Sequence, residues 1–155
     1  PLEIDQDSTG AMITMLYGAN GAGWQYMMKE VEIDIAASGN TTSQATNFFP
    51  ANAVPIAFHI LVTTSIENGK HITKLGTTAM AGLFGNTGGS DLGDGVLDEQ
   101  NDNLLFGVNA GNDMFSGAGG LSTAQHLVIT HGNNPNAGVV RATLWYHQLM
   151  VDTSA

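Results

Sequence analysis

From Phe48 to Leu75 the chain reads FFPANAVPIAFHILVTTSIENGKHITKL, two β-rich runs on either side of Asn68-Gly69. Asn-Gly is the strongest short-range hairpin signal, because both central positions of a type I′ turn need positive φ, which Gly adopts freely and Asn tolerates. The dipeptide therefore predicts one long β-hairpin, with Ile66 facing His71, Thr64 facing Thr73 and Val62 facing Leu75. Side chains alternate along a strand. Phe58, Ile60, Val62, Ile66 and Leu75 then share an apolar face, while Thr63, Glu67, Lys70 and Lys74 share a wet one, with Leu61 and Ile72 on that second side.

The same grammar recurs along the chain. Trp24 to Ala36 alternates Val31, Ile33 and Ile35 with Glu30, Glu32 and Asp34, a half-buried strand. Met12 to Tyr17, Met80 to Phe84, Leu104 to Val108, Thr123 to His131 and Val139 to His147 read as further strands, joined by Gly-rich turns such as GANGAG and GNNPNAG. SGNTTSQATN reads as a polar loop. No 3.6-residue apolar period is sustained. The expectation is an all-β, antiparallel β-sandwich or jelly-roll-like domain with little helix. Residues 1–23 form an N-terminal arm with a first short strand, and 24–150 form the single sandwich domain; 155 residues suffice for one such core.

Composition narrows the function classes. Four basic residues against fourteen acidic ones give a net charge of −10, which disfavours a phosphate backbone as partner. The expected partners include neither nucleic acid nor membrane, since no run approaches the roughly 20 apolar residues of a spanning helix. PLEIDQDSTG at the start is acidic where a secretory signal is basic, so export by that route is not expected. Without cysteine there is no disulfide framework and no thiolate site. Charged residues are only 12 %, about half the usual share, leaving a surface of Ser, Thr, Asn and Gln.

Chemistry-bearing residues are few. Asp91, Asp94, Asp98, Glu99 and Asp102 gather hard oxygen donors suited to Ca²⁺, although their spacing is not that of an EF-hand, and a solvated acidic loop fits the same residues. A pair of them could serve as a glycosidase acid and base, but no aromatic-lined cleft accompanies them in sequence. His126 and His131 lie five apart on one strand, hence on opposite faces, and cannot share a metal. His71 is expected as a structural imidazole on the core face. No nucleophile elbow is present. The reading is a non-enzymatic chain with no cofactor other than a possible Ca²⁺ at Asp91, Asp94, Asp98 and Asp102.

Pro50-Ala-Asn-Ala-Val54, Val62-Thr-Thr-Ser-Ile66 and, some 70 residues on, Gly138-Val-Val-Arg-Ala-Thr-Leu-Trp-Tyr146 resemble the C-terminal β-sandwich module of tailed-bacteriophage fibre, spike and related virion proteins. The resemblance spans roughly residues 48–147; the loop from Gly85 to Asn103 is longer and more acidic than that pattern. It implies a virion structural protein, made in the host cytoplasm and displayed on the particle exterior as a capsid decoration protein or as a fibre or spike head. Its partners would be itself, often as a homotrimer, and other virion proteins. Arg141, Trp145, Tyr146 and His147 become candidates for subunit contact, since aromatic residues and Arg are enriched in interfaces. An alternative is a carbohydrate-binding module reading a host surface glycan, with or without Ca²⁺.

Overall fold

The computed structural model describes residues 2–3, 11–16, 23–35, 42–67, 71–78, 85–86, 100–107, 123–131, 135 and 137–150. Among them there is no helix, and the strands in chain order are β1 (Leu2–Glu3), β2 (Ala11–Leu16), β3 (Gly23–Asp34), β4 (Thr42–Phe49), β5 (Ala53–Thr64), β6 (Ile72–Thr77), β7 (Gly85–Asn86), β8 (Asn103–Gly107), β9 (Gln125–His131) and β10 (Val139–Met150). Two antiparallel sheets result, of order β1-β2-β3-β10-β5-β8 and β4-β9-β6-β7.

The pairings nest. β3 pairs with β10, β4 with β9, β5 with β8 and β6 with β7, as if one long antiparallel ribbon were folded between β6 and β7. The ribbon then wraps on itself, so that β10 also pairs with β5 and β9 with β6. This is a jelly roll of two four-stranded sheets, β3-β10-β5-β8 and β4-β9-β6-β7, with β1 and β2 extending the first. The arm expected over residues 1–23 thus contributes two strands to a sheet edge.

The Asn68-Gly69 hairpin does not form. β5 lies in the six-stranded sheet and β6 in the four-stranded one, so the segment between them crosses from sheet to sheet. Residues 68–70 themselves lie outside the described residues. The assignment of faces survives along β5 and at Leu75, but it reverses at the start of β6, where His71, expected on the core face, is half-buried and the core position is taken by Ile72. Phe58, Ile60, Val62, Ile66 and Leu75 are all in the core. Ile72 joins them at 1 % exposure, since a register shift between Ile72 and Lys74 turns both Ile72 and Leu75 inward.

Between the sheets pack Ile33, Phe58, Ile60, Val62, Val140, Ala142 and Leu144 from one side, against Ala45, Phe48, Phe49, Ile72, Leu75, Leu127 and Ile129 from the other. Burying each of the larger side chains contributes about 1.5–3 kcal/mol. Phe48, Phe49 and Phe58 meet edge to face, with centroids 5.0–6.0 Å apart. The expected polar loop before Phe48 is instead β4. Its inward residues ahead of Phe48 are small, Ser43 and Ala45, so that part of the strand carries little hydrophobic signal.

Candidate functional site: the outer face of the six-stranded sheet

Where odd-numbered residues of β3 point inward, the even-numbered ones point out: Trp24, Tyr26, Met28, Glu30, Glu32 and Asp34. β10 is paired to β3 without interruption over twelve residues, and its inward set is Val140, Ala142, Leu144 and Tyr146. Its outward set is therefore Arg141, Thr143, Trp145 and His147. On the other flank, β5 carries one extra residue opposite the Trp145/Tyr146 step, which flips its pleat and brings Val54 as well as Ala57, His59 and Leu61 to the outer side.

Register sorts these residues into rows. Tyr26, His147 and Val54 lie abreast, then Met28, Trp145 and Ala57, then Glu30, Thr143 and His59, then Glu32, Arg141 and Leu61. The face is thus aromatic and apolar toward Trp24 and acidic toward Asp34. In the apolar half the His147 ring sits between Trp24, at 4.6 Å, and Tyr26, at 5.7 Å. Met28 and Val54 are the large hydrophobic side chains left open to water among the described residues, at 40 % and 39 % exposure.

In the acidic half Arg141 donates from Nη2 to Glu32 Oε1 at 2.9 Å, and its Nε lies 3.7 Å from Glu30 Oε1, too far for a hydrogen bond. Thr143 Oγ1 donates to Glu30 Oε2 at 3.2 Å. The Glu32 hydrogen bond and then the charge of Glu30 hold the guanidinium protonated above even its usual range. One cation among three carboxylates leaves this half net negative.

Of the contact candidates named from sequence, Arg141, Trp145 and His147 lie together on this face. Tyr146 does not. Strand alternation turns it inward, where it is 6 % exposed, and burial pushes its phenol pKa up. Trp24, Tyr26, Met28 and Val54 were missed, although the alternation that placed Glu30, Glu32 and Asp34 outside extends back through β3 to the first three.

Asp91, Asp94, Asp98 and Glu99 lie outside the described residues. Asp102 is half-buried before β8, where its carbonyl accepts from Val62 N at 2.8 Å. Among the described residues no three His, Asp or Glu side chains are placed to hold a metal. His126 and His131 do fall on opposite faces of β9. His131 is inside, its Nε2 3.1 Å from Ser43 Oγ. A serine beside an imidazole has the makings of a nucleophile and base, but these two are 6 % and 2 % exposed within the core, so no substrate reaches them. Their hydrogen bond satisfies two buried polar groups.

No protein-family model matches the chain. Nor does any curated protein. Among solved structures, a chain of the cyanophage Pam1 capsid asymmetric unit aligns over 92 % of this chain and 94 % of its own, at 15 % identity and a TM-score of 0.43.

Proposed function

We propose that this chain is a non-enzymatic structural protein of a bacteriophage virion, displayed on the particle exterior and held there by protein–protein contacts through the outer face of its six-stranded sheet. The observation that carries this reading is the aromatic and apolar half of that face, on a sheet whose other side is already the core. Met28 and Val54 open to water among the half-buried rings of Trp24, Tyr26, Trp145 and His147 are what an interface core looks like when uncovered. The jelly roll supports it, being an architecture of viral capsid domains, as does the likeness of residues 48–147 to virion modules. The partner we assign is further copies of this chain in a closed ring, a trimer being the form the resemblance implies.

Both tryptophans of the chain lie on this face, so their fluorescence reports on it alone. Diluting the protein from micromolar to nanomolar should shift their emission to the red as copies separate. Emission that stays constant, together with absence of the protein from gradient-purified particles, would count against the reading. A second reading follows from the same rings: Trp24, Tyr26 and His147 beside Glu30 and Glu32 could stack on and hydrogen-bond a host glycan. That reading predicts quenching by oligosaccharide and no change on dilution.

A further inference from the structure

We propose that His126 is a proton-operated latch that holds the open edge of the four-stranded sheet in its blocked form. β4 is the outermost strand of that sheet. It pairs with β9 from Thr42↔Thr130 to Ala45↔Leu127 and resumes at Phe49↔Gln125. Thr46, Asn47 and Phe48 thus stand opposite His126 alone, as a large bulge. Within it Asn47 takes the left-handed conformation, φ 50°, which Asn adopts more readily than most residues.

The bulge costs β4 its regular ladder bonds here, and two side chains replace them. Asn47 N donates to His126 Nδ1 at 2.9 Å, and the Asn47 carbonyl accepts from Lys29 Nζ at 2.6 Å. One residue is therefore clamped from both sheets, by β9 and by β3. The clamp matters to the core, because the bulge lets Phe48 and Phe49, adjacent in sequence, both be fully buried. It also matters to the edge, since bulges are a means by which exposed strands avoid pairing with other chains.

The Asn47–His126 bond exists only while Nδ1 carries a lone pair. Imidazoles take their second proton between about pH 5 and 8, and an imidazolium donates from both nitrogens. Protonation therefore sets N–H against N–H. It also places a second cation beside Asn47, whose other side is held by Lys29. Among the described residues, β4 contributes no titratable group. On β6, Lys74 pairs with Thr130, four positions along; on β9, His131 faces the core. Glu30 and Glu32 of β3 point to the far side of the other sheet. Among the described residues no carboxylate faces the new charge, so acid opens the latch, frees the bulge and uncovers the β4 edge.

The test is a pH titration from 8 to 5 followed by NMR on the full chain, observing the Asn47 amide and the His126 ring, with His126→Gln as the variant whose side-chain oxygen accepts without titrating. In the wild type the Asn47 amide should move with the His126 ring, and its protection from exchange should drop about tenfold, as loss of one hydrogen bond of ordinary strength implies. In His126→Gln the Asn47 amide should hold still, and the Tm should fall less on acidification. An Asn47 amide that stays in place while the His126 ring titrates would overturn the proposal, and this wild-type result is decisive even if the variant fails to fold. Equal Tm–pH curves for the two proteins would overturn it as well.

Discussion

Single residues decide how tightly the two sheets close. Gly138 enters β10 at φ 151°, and a Cβ there would lie 3.0 Å from Ile66 Cγ1 and 3.3 Å from Ile66 Cα. Neither side can retreat: Ile66 is in the core, and Gly138 is held by its carbonyl, which accepts from Ile35 N at 2.9 Å. Gly138→Ala should therefore destabilise the fold by about 1–3 kcal/mol in urea unfolding; a variant as stable as wild type would mean that this corner is looser than described. Tyr146 makes a prediction in pH. Its phenol pKa is raised by burial, so above pH 10 the unfolded chain releases a proton that the folded chain keeps. That contribution to stability is complete below pH 10 and is lost as the pH climbs toward the folded pKa. Tyr146→Phe should lose less stability than wild type between neutral pH and strongly alkaline pH, when the two are compared by denaturant midpoint.

At the scale of elements, much was legible in the sequence, and the failures share one cause. Alternation marked β3, β5, β9 and β10 as strands, and on β3 and β5 even the inward residues, because a half-buried strand must show period two. What alternation does not carry is which strand lies beside which. Asn68-Gly69 is a local signal for a tight reversal, yet in a jelly roll the residues after β5 step to the opposite sheet, and pairing is settled by the wrap of the whole ribbon. β4 was read as loop because its core-facing Ser43 and Ala45 are small, and Ser43 reaches His131 on another strand, 88 residues away. Tyr146 was taken for a contact residue because aromatic character was weighed without parity. The difference between hairpin and jelly roll can be measured directly: backbone NOEs should link His59 with Thr143, and none should link Thr64 with Thr73. β10, paired on both sides along most of its length, should hold the slowest-exchanging amides.

For the whole molecule, the outer face of the six-stranded sheet unites the sequence pattern, the architecture and the proposed assembly. Its two halves carry separate roles. In the proposed assembly the apolar half would supply area to bury, and the acidic half would limit how copies approach, since carboxylates of two copies brought together repel. Glu32→Gln should thus leave assembly intact or tighten it slightly, with at most a small stability effect from an exposed ion pair. Met28→Glu, placing a charge beside Trp145 in the middle of the apolar half, should break assembly without unfolding the jelly roll, because Met28 is open to water in the isolated chain. The decisive measurement is the absolute mass of wild type and Met28→Glu by light scattering on a sizing column at micromolar concentration. Wild type should run at an integral multiple of the 16.2 kDa chain mass, three being the expected number, and a folded Met28→Glu at the single-chain mass. A wild type that elutes as a single chain, or a Met28→Glu variant that keeps the wild-type mass, would contradict the proposed assembly.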